Sequence, residues 1–251
     1  MDKKLVIGII FVSIIVFGAV LLVFRGAIGA LYPSGKTITL TYEGDESVHN
    51  VKVSVGNGIL IIAKNTSVTG WRFVAKYSEN DKPPSFTYND THLSVSLGNG
   101  ILKVYVNSPS FVDFEVGNGK ALVVLFGTNA TVSGEVKNGD LSVILNRGNY
   151  SISLSVVNGA IHLDAYVTEL IGSVQVINGD ITFIINTNGG GKISYQISNG
   201  NSNIFAEGFQ TSISETDSGE TGNITSPGSN IDLSVTITNG SFTLVITKLS
   251  G

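Results

Sequence analysis

The chain has 251 residues, a formal net charge of −4 and no cysteine. Those facts exclude a disulfide framework or thiolate metal site and leave no basic surplus for nucleic acid. Sparse charge (14%) and 30 glycines, among many Val, Ile, Ser, Thr and Asn, mark a β-rich rather than a disordered chain.

The first predicted element is apolar. Leu5 to Phe24 carries no charge and, as a helix, would extend ~30 Å, the thickness of a bilayer core. Lys3 and Lys4 precede it, and the positive-inside rule places them in the cytoplasm. Arg25 can snorkel at the far interface. The expectation is a single-pass cell-membrane protein with its C-terminal domain outside. Residues 1–31 form the signal anchor and juxtamembrane segment, 32–36 a linker and 37–251 the ectodomain. Cleavage near Ala27-Ile28-Gly29 is the competing reading, but the apolar run exceeds the ~7–15 residues of a signal-peptide core. From residue 36 onward, 12 Lys/Arg face 18 Asp/Glu, so 12 − 18 gives −6. Neither nucleic acid nor anionic lipid suits that surface.

The ectodomain repeats the dipeptide Asn-Gly eight times. The pairs are Asn57-Gly58, Asn99-Gly100, Asn118-Gly119, Asn138-Gly139, Asn158-Gly159, Asn178-Gly179, Asn199-Gly200 and Asn239-Gly240. Successive gaps are 42, 19, 20, 20, 20, 21 and 40 residues. Apolar residues alternate on both sides, as in Val132, Gly134 and Val136 before Asn138 and Leu141, Val143 and Leu145 after it. Period-two alternation predicts two half-buried strands per repeat. Asn-Gly suits either a type I′ hairpin turn or the corner of a stacked coil. Hairpins would leave the opposite loops free to vary in length, so the constant period favours stacking, with a sandwich or barrel as the competing fold. The predicted fold is an all-β, single-stranded β-solenoid of about ten coils of ~20 residues. The two long gaps read as coils with altered corners, near Tyr77–Asp81 and Glu215–Glu220. In such a stack the Asn amides can bond along the axis.

Segments such as Val136-Lys137-Asn138-Gly139-Asp140-Leu141-Ser142-Val143 and Val176-Ile177-Asn178-Gly179-Asp180-Ile181-Thr182-Phe183 resemble the repeats of adhesin-like domains of bacterial and archaeal surface proteins, some called head-GIN domains. The resemblance spans residues 37 to 248 and implies a β-solenoid at the cell surface. It implies no binding residues.

Chemistry is sparse. His49, His92 and His162 have no second His or Cys at ligand spacing, and no nucleophile elbow or phosphate loop occurs. Asp140 and Asp180 share a repeat position but are separated by Ala160, about 10 Å apart in a stack. Glu215, Asp217 and Glu220 read as a solvated acidic loop. Trp71, Phe73, Tyr77, Phe86 and Tyr88 concentrate aromatics around Lys82-Pro83-Pro84, either packing an end or, at Tyr77, meeting a partner. Asn-x-Ser/Thr acceptors stand at Asn65, Asn89, Asn129, Asn149, Asn223 and Asn239, the first five as candidate glycosylation sites. No catalytic residue, cofactor site or metal site is assigned. The expected function is a non-enzymatic, membrane-anchored surface protein, adhesin-like or an envelope scaffold, with a protein or glycan partner or self-association. A polysaccharide-binding or polysaccharide-acting β-helix protein and an accessory subunit of a membrane complex are the alternatives.

Overall fold

Alternating Val, Ile, Leu and Phe build fifteen strands in a computed structural model that describes residues 36–216 and 219–249. In chain order they are β1 (Thr37–Gly44), β2 (Asn50–Lys64), β3 (Trp71–Ser78), β4 (Ser85–Asn89), β5 (His92–Val106), β6 (Phe111–Phe126), β7 (Ala130–Asn146) and β8 (Asn149–Asn158). Then follow β9 (Ile161–Val167), β10 (Glu169–Asn178), β11 (Ile181–Thr187), β12 (Gly191–Glu207), β13 (Gln210–Glu215), β14 (Glu220–Ser226) and β15 (Ile231–Lys248). The apolar run Leu5–Phe24 lies outside the described residues.

Each Asn-Gly pair marks a change of parity. Val51, Val53 and Val55 are buried before Asn57, whereas Leu60 and Ile62 are buried after it. The strand thereby turns both of its halves toward one enclosed core. Gly139 illustrates the backbone requirement: its φ is 135°, and a Cβ there would strike the carbonyl oxygen of Gly119 on the neighbouring strand.

The eight Asn-Gly segments pair in parallel and in register, but not in chain order. The order is Asn99, Asn57, Asn118, Asn138, Asn158, Asn178, Asn239, Asn199. Pairing also closes on itself. β7 meets β8 along its first half and β9 along its second; β8 leads to β10, β9 leads to β11, and both routes end on β15. Six parallel strands thus form a closed, barrel-like ring, with further strands on either side.

This corrects the expected ten-coil solenoid. The segments in the two long gaps are not coils with altered corners. β3 and β4 run antiparallel to the two halves of β5, and β1 runs antiparallel to β3. At the other end β14 runs antiparallel to β12, and β13 to β14. Two strands added antiparallel use as much chain as one coil, so the 42- and 40-residue gaps resemble doubled repeats. The chain then re-enters the parallel array beyond β2 with β5, and between β10 and β12 with β15.

The core consists of side-chain columns running across the strands. One reads Phe86, Val95, Val53, Phe114, Gly134, Leu154, Val174, Val235, Tyr195, Gly222, Ile213. Its glycines follow its large rings: a Cβ on Gly134 would overlap Phe114, and one on Gly222 would overlap Tyr195. Large beside small is how an interior reaches close packing without strain. A facing column reads Tyr42, Phe73, Val104, Ile62, Val123, Val143, Leu163, Phe183, Leu244, Ile204.

Candidate functional site

The inward columns leave alternate residues facing out, and on the strand halves before Asn-Gly these are strongly polar. One outward column is Ser94, Lys52, Asp113, Ser133, Ser153, Ser173, Ser234, Ser194. The next is Ser96, Ser54, Glu115, Glu135, Ser155, Gln175, Thr236, Gln196. Hydroxyls therefore repeat at the strand spacing of ~4.8 Å.

Two adjoining depressions cut into this face. One, of about 310 Å³, is lined by Ser54, Glu115, Ser133, Glu135, Ser153 and Ser155. The other, of about 380 Å³, is lined by Asn50, Thr87, Asn89, His92, Ser94 and Phe111. Lys52 and Asp113 line both and form a 3.5 Å ion pair between them. Lys137 holds Glu115 at 2.6 Å, and that contact, first as a hydrogen bond and then as a charge pair, raises the lysine pKa. Glu135 pairs in register with Glu115, and Phe111 is 40% exposed at one end. The groove thus offers hydroxyls, amides, carboxylates and one accessible aromatic face. Among the described residues, no group of three or more His, Asp or Glu could hold a metal ion.

The Asn-Gly pairs lie elsewhere, as a hydrogen-bonded spine. The Asn138 amide donates to Asn118 Oδ1 at 2.8 Å and accepts from Asn158 Nδ2 at 2.8 Å. The chain of amides continues from Asn199 through Asn239 and Asn178 at one end to Asn57 and Asn99 at the other. There the last amide, of Asn99, donates to Asp81. The Asn239 acceptor sequence is engaged in this spine. Asn89, Asn129, Asn149 and Asn223 are exposed, while Asn65 is half-buried and its side chain accepts from the Ser67 amide.

The aromatic cluster packs one end of the core. Phe73 is fully buried and Tyr77 is 6% exposed, so Tyr77 sits inside the sheet rather than on a protruding loop. Phe86 meets Tyr42 and Phe73 with ring centroids 4.6 and 5.1 Å away. At the other end Glu220 is 7% exposed, not solvated as expected. It accepts hydrogen bonds from the Tyr195 hydroxyl and from the Ser202 hydroxyl and amide. Burial pushes its pKa up, but those three bonds together hold it below the usual carboxylate value. Tyr195 is pushed up to about 12, by burial first and by Glu220 second. Asp217 lies outside the described residues.

His162 and Asp164 face outward on β9. Burial lowers the pKa of the first and raises that of the second, and each opposes the other's shift. Asp164 pairs in register with Ile144 and Ile184. Asp140 and Asp180 stand apart, one paired to Lys120 at 2.9 Å and the other accepting from Ser241.

Sequence reasoning directed attention to the two long gaps and missed the groove. Its signal was present: six of the eight Asn-Gly pairs have Ser five residues before the Asn. Only the register shows that those serines share one face with Phe111 and three carboxylates.

No family model and no curated protein matches the chain. Among solved structures it is similar to a "putative cell adhesion protein" from Clostridium sporogenes, at 13% identity and a TM-score of 0.44, over 84% of this chain and 99% of that one. It is also similar to a "putative adhesin" from Bacteroides fragilis, at 12% identity and a TM-score of 0.35, over 84% and 99%. A "putative adhesin" from Parabacteroides merdae follows at 13% identity and a TM-score of 0.29, over 84% and 98%. At that distance no residue role transfers.

Proposed function

We propose that this chain is a non-enzymatic, adhesin-like surface protein whose serine-rich face binds a polyhydroxylated ligand, a glycan chain. Leu5–Phe24 is its membrane tether, on the hydropathy argument above. The observation that carries the reading is the pair of adjoining depressions, one across β2, β6, β7 and β8 and the other across β4, β5, β2 and β6, that meet at Lys52 and Asp113. Sugar hydroxyls both donate and accept, and the groove supplies serine hydroxyls, Asn amides and carboxylates at regular spacing. Phe111 supplies the apolar surface on which a pyranose C–H face can lie. Two lysines against three carboxylates (Lys52 and Lys137; Asp113, Glu115 and Glu135) favour neutral or amino sugars over sulfated or uronic ones.

Full-length protein in detergent, applied to a glycan array, tests this. Neutral or amino glycans are expected to bind. Phe111→Ala and Ser153→Lys, the second filling the groove, should each weaken binding about tenfold, or ~1.4 kcal/mol. Absence of glycan binding by the wild type, or binding indifferent to both substitutions, would refute the proposal.

A further inference from the structure

Among the described residues the columns that fill the core end abruptly, and three of their four end members, Tyr42, Phe86 and Ile213, are exposed while Ile204 is half-buried. In the eleven-residue column the first and last side chains, Phe86 and Ile213, are 37% and 46% exposed. Every residue between them is buried. Phe86 lies on β4 and Ile213 on β13, each hydrogen-bonded to a neighbouring strand along one edge only among the described residues. Both strands cover the same half of the core, that of the segments before Asn-Gly.

The two ends are also stepped in opposite senses. At the Asn199 end, β14 and β13 extend the first half by two strands, while the second half stops at β12. At the Asn99 end, β3 and β1 extend the second half by two strands, and β4 extends the first half by one. A raised second half therefore faces a recessed one when one copy follows another.

We propose that a second copy of this chain docks head to tail, with β13 of one molecule pairing with β4 of the next. The geometry permits it. β14 is antiparallel to β12 and β13 to β14, so β13 runs with the parallel array. β4 runs against that array. The new pair is antiparallel, and Ile213 opposite the next copy's Phe86 continues the column without a break. On the outward face Ser212 then lies opposite Thr87, and Ser214 opposite Ser85. The facing column holds ten residues, so it keeps an opening one strand wide between Ile204 and the next copy's Tyr42. Because the two contacting surfaces differ, the contact is heterologous and propagates head to tail rather than closing as a two-fold dimer. Unpaired edges with exposed apolar residues are what such strand pairing requires.

The chain has no cysteine, so introduced cysteines report the contact cleanly. Full-length Ser212→Cys and Thr87→Cys chains are made separately, purified in detergent, mixed and oxidised. Disulfide-linked dimers are expected in the mixture and not in either chain alone. A chain carrying both substitutions should give a ladder of multimers. Ile213→Lys or Phe86→Lys, placed at opposite ends, should each reduce that ladder at least tenfold with an unchanged circular-dichroism spectrum. The proposal is overturned if the mixture stays monomeric, if either single-cysteine chain dimerises as readily as the mixture, or if the ladder survives both lysine substitutions.

Discussion

Replacing Gly134 with Ala isolates the packing of the long column. An ideal Cβ there would lie 2.5 Å from Phe114 Cε2 and nearer still to Cε1 and Cζ. Gly134 has an ordinary strand conformation, so the cost is steric and not one of backbone φ. Phe114 is 3% exposed and lies in register between Val53 and Gly134, so its ring has little room to retreat. Overpacking of this kind costs ~1–3 kcal/mol. The entropy lost by the unfolded chain when Gly becomes Ala offsets ~0.4–1 kcal/mol of that. The expected net loss is about 1–2 kcal/mol, read as a lower urea midpoint at unchanged slope. Phe114→Leu should relieve it: in a double-mutant cycle the two changes should couple favourably by at least ~1 kcal/mol. If Gly134→Ala is neutral, or the pair is simply additive, the column does not pack as described.

Three further outcomes follow from other residues. Asn138→Ala should destabilise by ~1 kcal/mol by breaking the amide spine. Asn138→Asp should cost more, because its oxygen replaces the donor that faces Asn118 Oδ1; thermal melts of both variants check the ranking. Glu220→Ala should destabilise by ~1–3 kcal/mol by removing the acceptor of the Ser202 amide and of the Tyr195 and Ser202 hydroxyls, which are left only each other. Glu220 has a depressed folded pKa, so its contribution is present above the unfolded carboxylate pKa and is lost as pH falls through the folded value. The stability difference between wild type and Glu220→Gln should therefore shrink on acidification, and a pH-independent difference would refute that assignment. Asp164→Val should stabilise by ~1 kcal/mol near pH 7, by replacing a partly buried carboxylate between Ile144 and Ile184. Asp164 has a raised folded pKa, so its charged form costs most above that value; the gain should diminish below the unfolded pKa, as measured by denaturation at pH 3 and pH 7.

Much of this architecture is legible in the chain itself. Period-two alternation around Asn138, Asn158 and Asn178 determines the strands and which residues face inward, because side chains on a strand alternate between two faces. The constant spacing determines that the Asn residues share a register, and the amide spine follows from it. Topology at the ends belongs to the tertiary structure. A 40-residue gap is equally long for two coils and for a return through antiparallel strands, and local patterning does not separate them. The choice rests on long-range pairing, where β14 covers β12 and β15 takes the inner position beside β10. The same holds for the two sites. Serine five residues before Asn is visible in the sequence, but Phe111, Asp113 and Glu135 join those serines only through cross-strand register. Phe86 and Ile213 are 127 residues apart, and only the folded columns make them the two ends of one row.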